Sequence, residues 1–530
     1  MLDPSMLSQD ATLLRALAKL NDELEGDILC DEMSRRLYAN DASLYQHFPL
    51  AVARPKTSVD CQKLIKFAAR NAIPVIPRGG GTSLAGQVVG SGLVVDCSRY
   101  MTRIMDVNLE QKTARVQPGV VLQTLNDELA PYGLMFAPDP STMDRCDIGG
   151  VIGNNAWGAH CPVYGSTRDH VLAMDVVLAN GDVIHCHDLS YQQFVKKQTL
   201  SSLEGEIYRT IAAEVTKNRE AILKRYPPID QVPCNMGYAL HALLNRQPWN
   251  PDGAMFSLVP LVCGSEGTLA LVTEVTVKLV SVPSHKILVG AHFNTLDDAL
   301  NAVSVAVQYG ATAVELLDHT ILSLSEENLD QRRNRFWITG RPQAILLIEF
   351  AGDDADELQV RGHALKAELK RHGWGYDYPV LKQAESEQAW AVRRAGLGLL
   401  MGIPGSKKPA TFIEDSAVPV SRLPVFIKQV ADLMKRYHTQ CVYYGSVAMG
   451  LVHVRPLLDL KQHDERDKLE NIAKDVADLL YELGGSLSAK HGDGRIRSPF
   501  IESLLGREIY QSLRQIKKSF DPQGRLNPGK

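Results

Sequence analysis

An α+β fold in two domains is what this sequence predicts, and three observations carry the prediction. Short β-branched runs separated by turn residues fill the chain to about residue 282, and a strand, helix, strand alternation replaces them after Pro283. The chain has 530 residues, 45% hydrophobic and 22% charged, enough to bury more than one core. In order, residues 1–45 carry apolar side chains at helical spacing, as in Leu13, Leu14, Leu17 and Leu20, and form a helical segment outside the first domain. The first domain spans 46–282, with strands at 75–76, 93–96, 113–116, 174–178, 182–187 and 269–279, and with the turn pair Asn180-Gly181 joining two of them. A polar, helix-prone insertion occupies about 189–260. The second domain, 283–485, has strands at 286–293 and 344–350 with helices at 296–309 and 355–371. The pattern repeats around 441–454 and 464–483, as an antiparallel sheet with helices on one face requires. A C-terminal segment, 486–530, returns to the first domain.

Composition removes several function classes. A net charge of -4 gives no basic footprint for nucleic acid. No apolar stretch approaches the roughly 20 residues that span a bilayer, so no transmembrane segment is expected. Met1 to Asp10 lacks the basic-then-apolar order of a secretory signal, and the cytoplasm is the expected location, with peripheral membrane association left open. Nine cysteines, at 30, 61, 97, 146, 161, 186, 234, 263 and 441, form no C-x-x-C pair and read as reduced core thiols. A ferredoxin-type cluster needs thiolates at closer spacing.

Three small-residue tracts carry the chemistry of the first domain. Pro77-Arg78-Gly79-Gly80-Gly81-Thr82-Ser83-Leu84-Ala85-Gly86 lies between two apolar runs. Three glycines free the backbone to point successive N–H groups into one concavity, a geometry that binds diphosphate. The tract lacks the Gly-Lys-Ser/Thr ending of NTPase phosphate loops and is not a G-x-G-x-x-G opening a helix, which demotes nucleotide hydrolysis and a nicotinamide Rossmann site. The second tract runs from Pro138-Asp139-Pro140-Ser141-Thr142 through Gly149-Gly150 and Asn154-Asn155 to Gly158, with Tyr164-Gly165 following; its small residues and amides let backbone lie against a large planar ligand. The third is Cys263-Gly264-Ser265-Glu266-Gly267-Thr268-Leu269.

On these residues the chain resembles the FAD-linked oxidases and dehydrogenases of the vanillyl-alcohol-oxidase (PCMH) type, the family of D-lactate dehydrogenases, glycolate oxidase flavin subunits and D-2-hydroxyglutarate dehydrogenases. The resemblance runs from about residue 45 to 530. It implies a two-part FAD-binding domain and an α+β substrate (cap) domain. It puts the FAD diphosphate at Arg78, Gly79, Gly80, Gly81, Thr82, Ser83 and Gly86, and the isoalloxazine against Ser141, Gly149, Gly150, Asn154, Asn155 and Gly158. Glu266, Gly267 and Leu269 line the adenine or ribose side, and Pro138, Thr142, Tyr164, Gly165 and Asn527 complete the cofactor contacts. Some members tether FAD through a histidine in the first glycine loop; this loop has none, so a non-covalent, dissociable FAD is expected.

Candidate substrate residues lie in the second domain and the C-terminal segment. In Trp390-Ala391-Val392-Arg393-Arg394 the two arginines alone read as a solvated helix face, whereas the resemblance gives Arg393 the substrate carboxylate, which a guanidinium fork pairs in two parallel hydrogen bonds. Alternation in Val452-His453-Val454-Arg455-Pro456 puts His453 and Arg455 on one side of a strand. Ser488-Ala489-Lys490-His491-Gly492-Asp493-Gly494 resembles the family pattern S-x-E-H-G-D-G, whose histidine lies over the flavin as proton acceptor, the role a neutral His491 imidazole suits.

The chain departs from the family at two positions. Relatives acting on 2-hydroxy acids carry G-H-x6-H and then E-H-G, and the two histidines and the glutamate bind a divalent metal. Here the first histidine is Ser446 and the glutamate is Lys490, leaving His453. One imidazole beside an ammonium is too few for a catalytic metal, so no metal is expected, and Lys490 is a candidate for the charge the metal would supply.

The resemblance implies an FAD-dependent dehydrogenase that oxidises a small hydroxy-carboxylate of the D-2-hydroxy acid class and passes electrons to a protein or quinone. Two alternatives stay open: an oxidase of another alcohol using oxygen, and a non-catalytic flavin subunit with a degenerate metal site. Leu457-Leu458-Asp459-Leu460-Lys461 and His491 to Ser498 resemble a subgroup whose flavin module is commonly fused to a Cys-rich iron-sulfur module. An iron-sulfur partner, a chain cut from a longer fusion, or another acceptor are the readings that leaves.

Overall fold

The structure is a computed structural model and describes residues 4–530, with side chains from Thr12 onward. The first part opens with the helix Pro4–Asn21, which buries Leu17 and Leu20 against a four-stranded sheet. In that sheet Leu93–Asp96 lies between Ala51–Arg54 and Val75–Arg78, parallel to both, and Asp27–Leu29 adds an antiparallel edge. Both faces of the parallel strands are buried, which is why they read as continuous apolar runs. The helix Ser58–Arg70 crosses between them, capped by the Thr57 hydroxyl.

A second sheet, of five antiparallel strands, runs Ile104–Asn108, Thr113–Val116, Leu271–Lys278, Val171–Val177, Val183–Cys186. Strand positions agree with the sequence reading to within a few residues. The insertion differs from its expected polar character. Its helices Tyr191–Gln198 and Leu203–Lys217 bury Phe194 and Tyr208, which pack on Trp249 and Phe256, and the last long helix, Arg507–Phe520, lies against Leu203–Lys217.

The third sheet has eight strands, and its register makes the site. Along the strands Ala344–Gly352, Ala313–Asp318, Cys441–Ser446 and Leu451–Leu458, Ala313 lies opposite Glu349, Glu315 opposite Ser446, and Tyr444 opposite His453. Directly paired residues share a face and side chains two apart return to it, so Glu349, Glu315, Ser446, Tyr444, His453 and Arg455 form one polar row across four strands. The opposite face, with Val314, Leu316, Leu346 and Ile348, joins the core formed with the helices Leu296–Gln308 and Ala355–Arg371. Helices are not confined to that face, as the sequence reading had them. Ala384–Met401 and His319–Glu327 pack Trp390, Val392 and Ile321 beside Ala313, Leu317 and Leu347 on the polar-row side. The expectation of one-sided helices fails because half of the strand positions on the second face are themselves apolar.

All nine cysteines are free, seven of them buried. Among the described residues no helix is long and apolar enough to cross a membrane.

Candidate active site

A cleft opens between the first two sheets. Its wall takes Arg78, Gly79 and Ser83 from the first tract, Gly149, Gly150 and Asn154 from the second, and Glu266 and Gly267 from the third. Three tracts far apart in sequence therefore converge on one cavity. The glycines are needed there. A Cβ on Gly79 would fall 2.2 Å from the Asp147 carboxylate, one on Gly80 2.4 Å from the Arg145 carbonyl, and Gly267 sits at φ +68° with Pro77 2.8 Å away. The backbone N–H of Ser83, which lines the cleft, finds no protein acceptor among the described residues and is a donor that suits a diphosphate oxygen. Asp147 caps the helix Ile148–Gly153 through Gly150 N at 2.8 Å, and burial pushes its carboxyl up to about 7. These residues fit an FAD.

Several expected cofactor residues do other work. The Arg78 guanidinium donates to the carbonyls of Tyr38, Asn40 (2.8 Å) and Val88 and lies over the Tyr38 ring, so it ties the N-terminal segment to the glycine turn. The Asn155 amide is consumed between Asn235 Oδ1 (2.8 Å) and Arg168 N (2.7 Å), and Leu269 is fully buried in the core. Asn155 was expected against the isoalloxazine and Leu269 on the adenine or ribose side; the side chains of both are engaged within the protein. Gly80, Gly81, Thr82, Gly86, Pro138, Ser141, Thr142, Gly158, Tyr164 and Gly165 flank the cleft in sequence without lining it. Asn527 acts from behind: its side chain donates to the carbonyls of Gln87 (2.9 Å) and Glu266 (2.7 Å), joining two walls.

Those same walls hold the loop of His491. Gln87 Nε2 donates to His491 O at 2.6 Å, and the Glu266 carboxylate accepts from Asp493 N at 2.6 Å and Gly494 N at 2.9 Å. From the other side Asp415 Oδ2 accepts three consecutive N–H groups, of Ala489, Lys490 and His491, at 2.9, 2.8 and 2.7 Å, and Trp157 Nε1 donates to Ala489 O at 3.0 Å. A loop held at this many points fixes its side chains without regular secondary structure.

Around that loop a charged cluster assembles on the polar row. His491 Nδ1 lies 2.8 Å from Glu414 Oε1, and its ring stacks on His453 at 5.5 Å between centroids and 13° between planes. A carboxylate at Nδ1 favours the tautomer with its proton there and leaves Nε2 as acceptor. Burial disfavours the Glu414 charge, but Arg455, paired with it, and His491 outweigh burial and hold the carboxyl down at about 2. His453 is buried and held neutral, first by burial and then by Lys490. Arg393 pairs through Nε with Glu315 and lies 4.9 Å from the Tyr444 ring centroid. Thus Arg393, His453, Lys490 and His491, expected from sequence to act together, are brought together.

Glu414 and Asp415 were missed. Two adjacent acids inside the apolar run Phe412 to Val418 were the available signal, since such a pair is seldom buried without a task. They also change the ligand count. Among the described residues Glu414, His453 and His491 place ligand atoms within 4.8 Å of one another, so His453 is not alone. The trio fits a divalent cation poorly, because Arg455 already pairs with Glu414 and the Lys490 ammonium is among the charges acting on His453.

His160, also missed, spans the two parts of the protein. Its Nδ1 lies 2.6 Å from Asp139 Oδ2 and its Nε2 2.7 Å from Glu349 Oε1, while the other Glu349 oxygen accepts from Trp390 Nε1 at 3.0 Å.

Residues 49–187 match the FAD binding domain family, and residues 282–530 match the C-terminal domain of FAD linked oxidases. The chain belongs to the FAD-linked oxidases and dehydrogenases, and its cofactor is FAD. It is 34% identical to a D-2-hydroxyglutarate dehydrogenase of Haemophilus influenzae, over 96% of this chain and 50% of that protein. It is 28% identical to glycolate oxidase subunit GlcD of Bacillus subtilis, over 94% of this chain and 92% of that one. The chain spans about half the length of the D-2-hydroxyglutarate dehydrogenases it matches. Substrate-bound p-cresol methylhydroxylase shares the fold, with a TM-score of 0.68 at 15% identity, covering 100% of this chain and 97% of that one.

Proposed function

We propose that this chain is an FAD-dependent dehydrogenase that oxidises a D-2-hydroxy acid, of the lactate, glycolate or 2-hydroxyglutarate type, and that its electrons pass to a protein or quinone acceptor. The observation that carries the reading is the His491 loop, tied by Gln87 and Glu266 to the walls of the cofactor cleft while its side chain sits in the Glu414, His453, Arg455 cluster. Bound FAD supplies the acceptor for the hydride of carbon 2. His491 takes the hydroxyl proton at Nε2, with Glu414 compensating the imidazolium that results. Arg393 pairs with the substrate carboxylate through the guanidinium edge that Glu315 leaves free. The names of the relatives support the substrate class, and the cleft supports a non-covalent cofactor.

Anaerobic mixing of the holoprotein with D-2-hydroxyglutarate, D-lactate and glycolate, followed by flavin bleaching, tests the reading. One of them is expected to bleach the flavin, and His491→Ala to slow that step about 10² to 10⁴-fold with FAD retained. No bleaching by any of the three, or an unimpaired His491→Ala variant, overturns it. Slow reoxidation by air is expected; fast reoxidation would make the protein an oxidase.

A further inference from the structure

Lys490 is 7% exposed, although an ammonium is among the costliest groups to take out of water. Its Nζ makes one hydrogen bond, to Ser446 Oγ at 3.4 Å, and lies 4.7 Å from the Trp157 ring centroid. Among the described residues no carboxylate pairs with it directly; Glu315 is reached through Ser446 Oγ, which donates to Glu315 Oε1 at 2.5 Å. Two of the three ammonium N–H groups are left without a protein acceptor. The stem cannot withdraw to solvent, because Asp415 holds the Lys490 backbone N–H at 2.8 Å and Trp157 covers the head. A fixed, dry cation short of acceptors, one residue from the proposed base, is arranged to receive an oxygen from outside the protein.

We propose that Lys490 is the cation that meets the hydroxyl oxygen of the substrate, and that the chain works without a divalent metal. This rests on the D-2-hydroxy acid reading. As the hydride leaves carbon 2 for the cofactor and the hydroxyl proton passes to His491, the C–O bond becomes a carbonyl, and negative charge builds on that oxygen in between. A preorganised donor at that point lowers the barrier. The two places at which the chain departs from metal-binding relatives, Ser446 and Lys490, are 44 residues apart and touch. They form one substitution in space. A metal between Glu414, His453 and His491 would have to displace Arg455 and tolerate Lys490.

The test uses the FAD-loaded protein after dialysis against EDTA, with metal content measured directly. D-2-hydroxyglutarate, D-lactate and glycolate report the reduction rate, and oxalate reports ligand binding through the flavin absorbance. Wild type is expected to keep its rate with far less than one metal per chain. Lys490→Met is expected to be reduced about 10² to 10³-fold more slowly and to bind oxalate more weakly, with methylammonium restoring part of the rate in Lys490→Ala. Lys490→Gln replaces Lys490→Met if that variant loses FAD. A wild-type rate and wild-type oxalate binding in the variants, or activity that disappears with a removable metal, overturns the proposal. If none of the three acids reduces the wild type, the proposed function fails and oxalate alone decides Lys490. Weaker binding in the variants then keeps it as the ligand cation, and unchanged binding removes it.

Discussion

His160 of the first part and Glu349 of the third sheet are 2.7 Å apart, and because Asp139 holds the other ring nitrogen, the imidazole between them is a cation. Burial disfavours that charge, but Asp139 and Glu349 overcome it and hold the group up at about 10. A basic group raised on folding stabilises fully below its unfolded value, 6.5, and the contribution fades as pH climbs to about 10. Glu349, held below its ordinary range, works the other way and fails toward acid. His160→Gln leaves two acids without their partner and is expected to cost about 3 to 5 kcal/mol at pH 7. Denaturant unfolding at several pH values checks this, and the gap from wild type should close above pH 10.

Asp415 touches no proposed reacting atom, yet three N–H groups of the His491 loop end on one of its oxygens. Asp415→Ala is expected to slow flavin reduction by about 10²-fold through misplacement of His491 and Lys490. Asp415→Asn keeps one acceptor oxygen and should lose less. FAD content unchanged in both variants, with the rate reduced in that order, is the result to look for.

For the cofactor, acid precipitation should release FAD into the supernatant, since the 79–83 turn carries no histidine to tether it. Gly79→Ala should lose FAD, because its Cβ would collide with Asp147. Arg78→Ala should mainly lower the melting temperature, since the guanidinium is spent on the carbonyls of Tyr38, Asn40 and Val88. A flavin content that falls in Arg78→Ala without thermal destabilisation would give Arg78 back to the diphosphate.

Arg393→Lys should raise KM for the substrate about tenfold or more while changing the limiting reduction rate less, because a point ammonium cannot both pair with Glu315 and fork a carboxylate. Stopped-flow reduction across substrate concentration separates the two.

Backbone features of the fold were legible from the sequence, side-chain partnerships much less so. The strands Leu93–Asp96 and Thr113–Val116 and the helix Ala355–Arg371 stand where period and turn residues put them. The glycine tracts announced a cleft because glycine is demanded by local crowding, which leaves a mark in composition. His453 and Arg455 followed from strand period alone. Glu315, Glu349 and His160 carried no such mark: each is an ordinary polar residue locally, and its meaning comes from a partner 131, 41 or 189 positions away. The side-chain partners of Asn155 carried no mark either, since nothing local announces Asn235 and Arg168.

The Asn527 side chain bridges the carbonyls of Gln87 and Glu266, and its backbone N–H meets Val75 O at 2.8 Å. During synthesis the glycine turn leaves the ribosome more than 400 residues before this clasp exists. The contact that ties the two cleft walls together is therefore among the least local in the fold, and closure of so long a loop is slow relative to the local structure on either side of it.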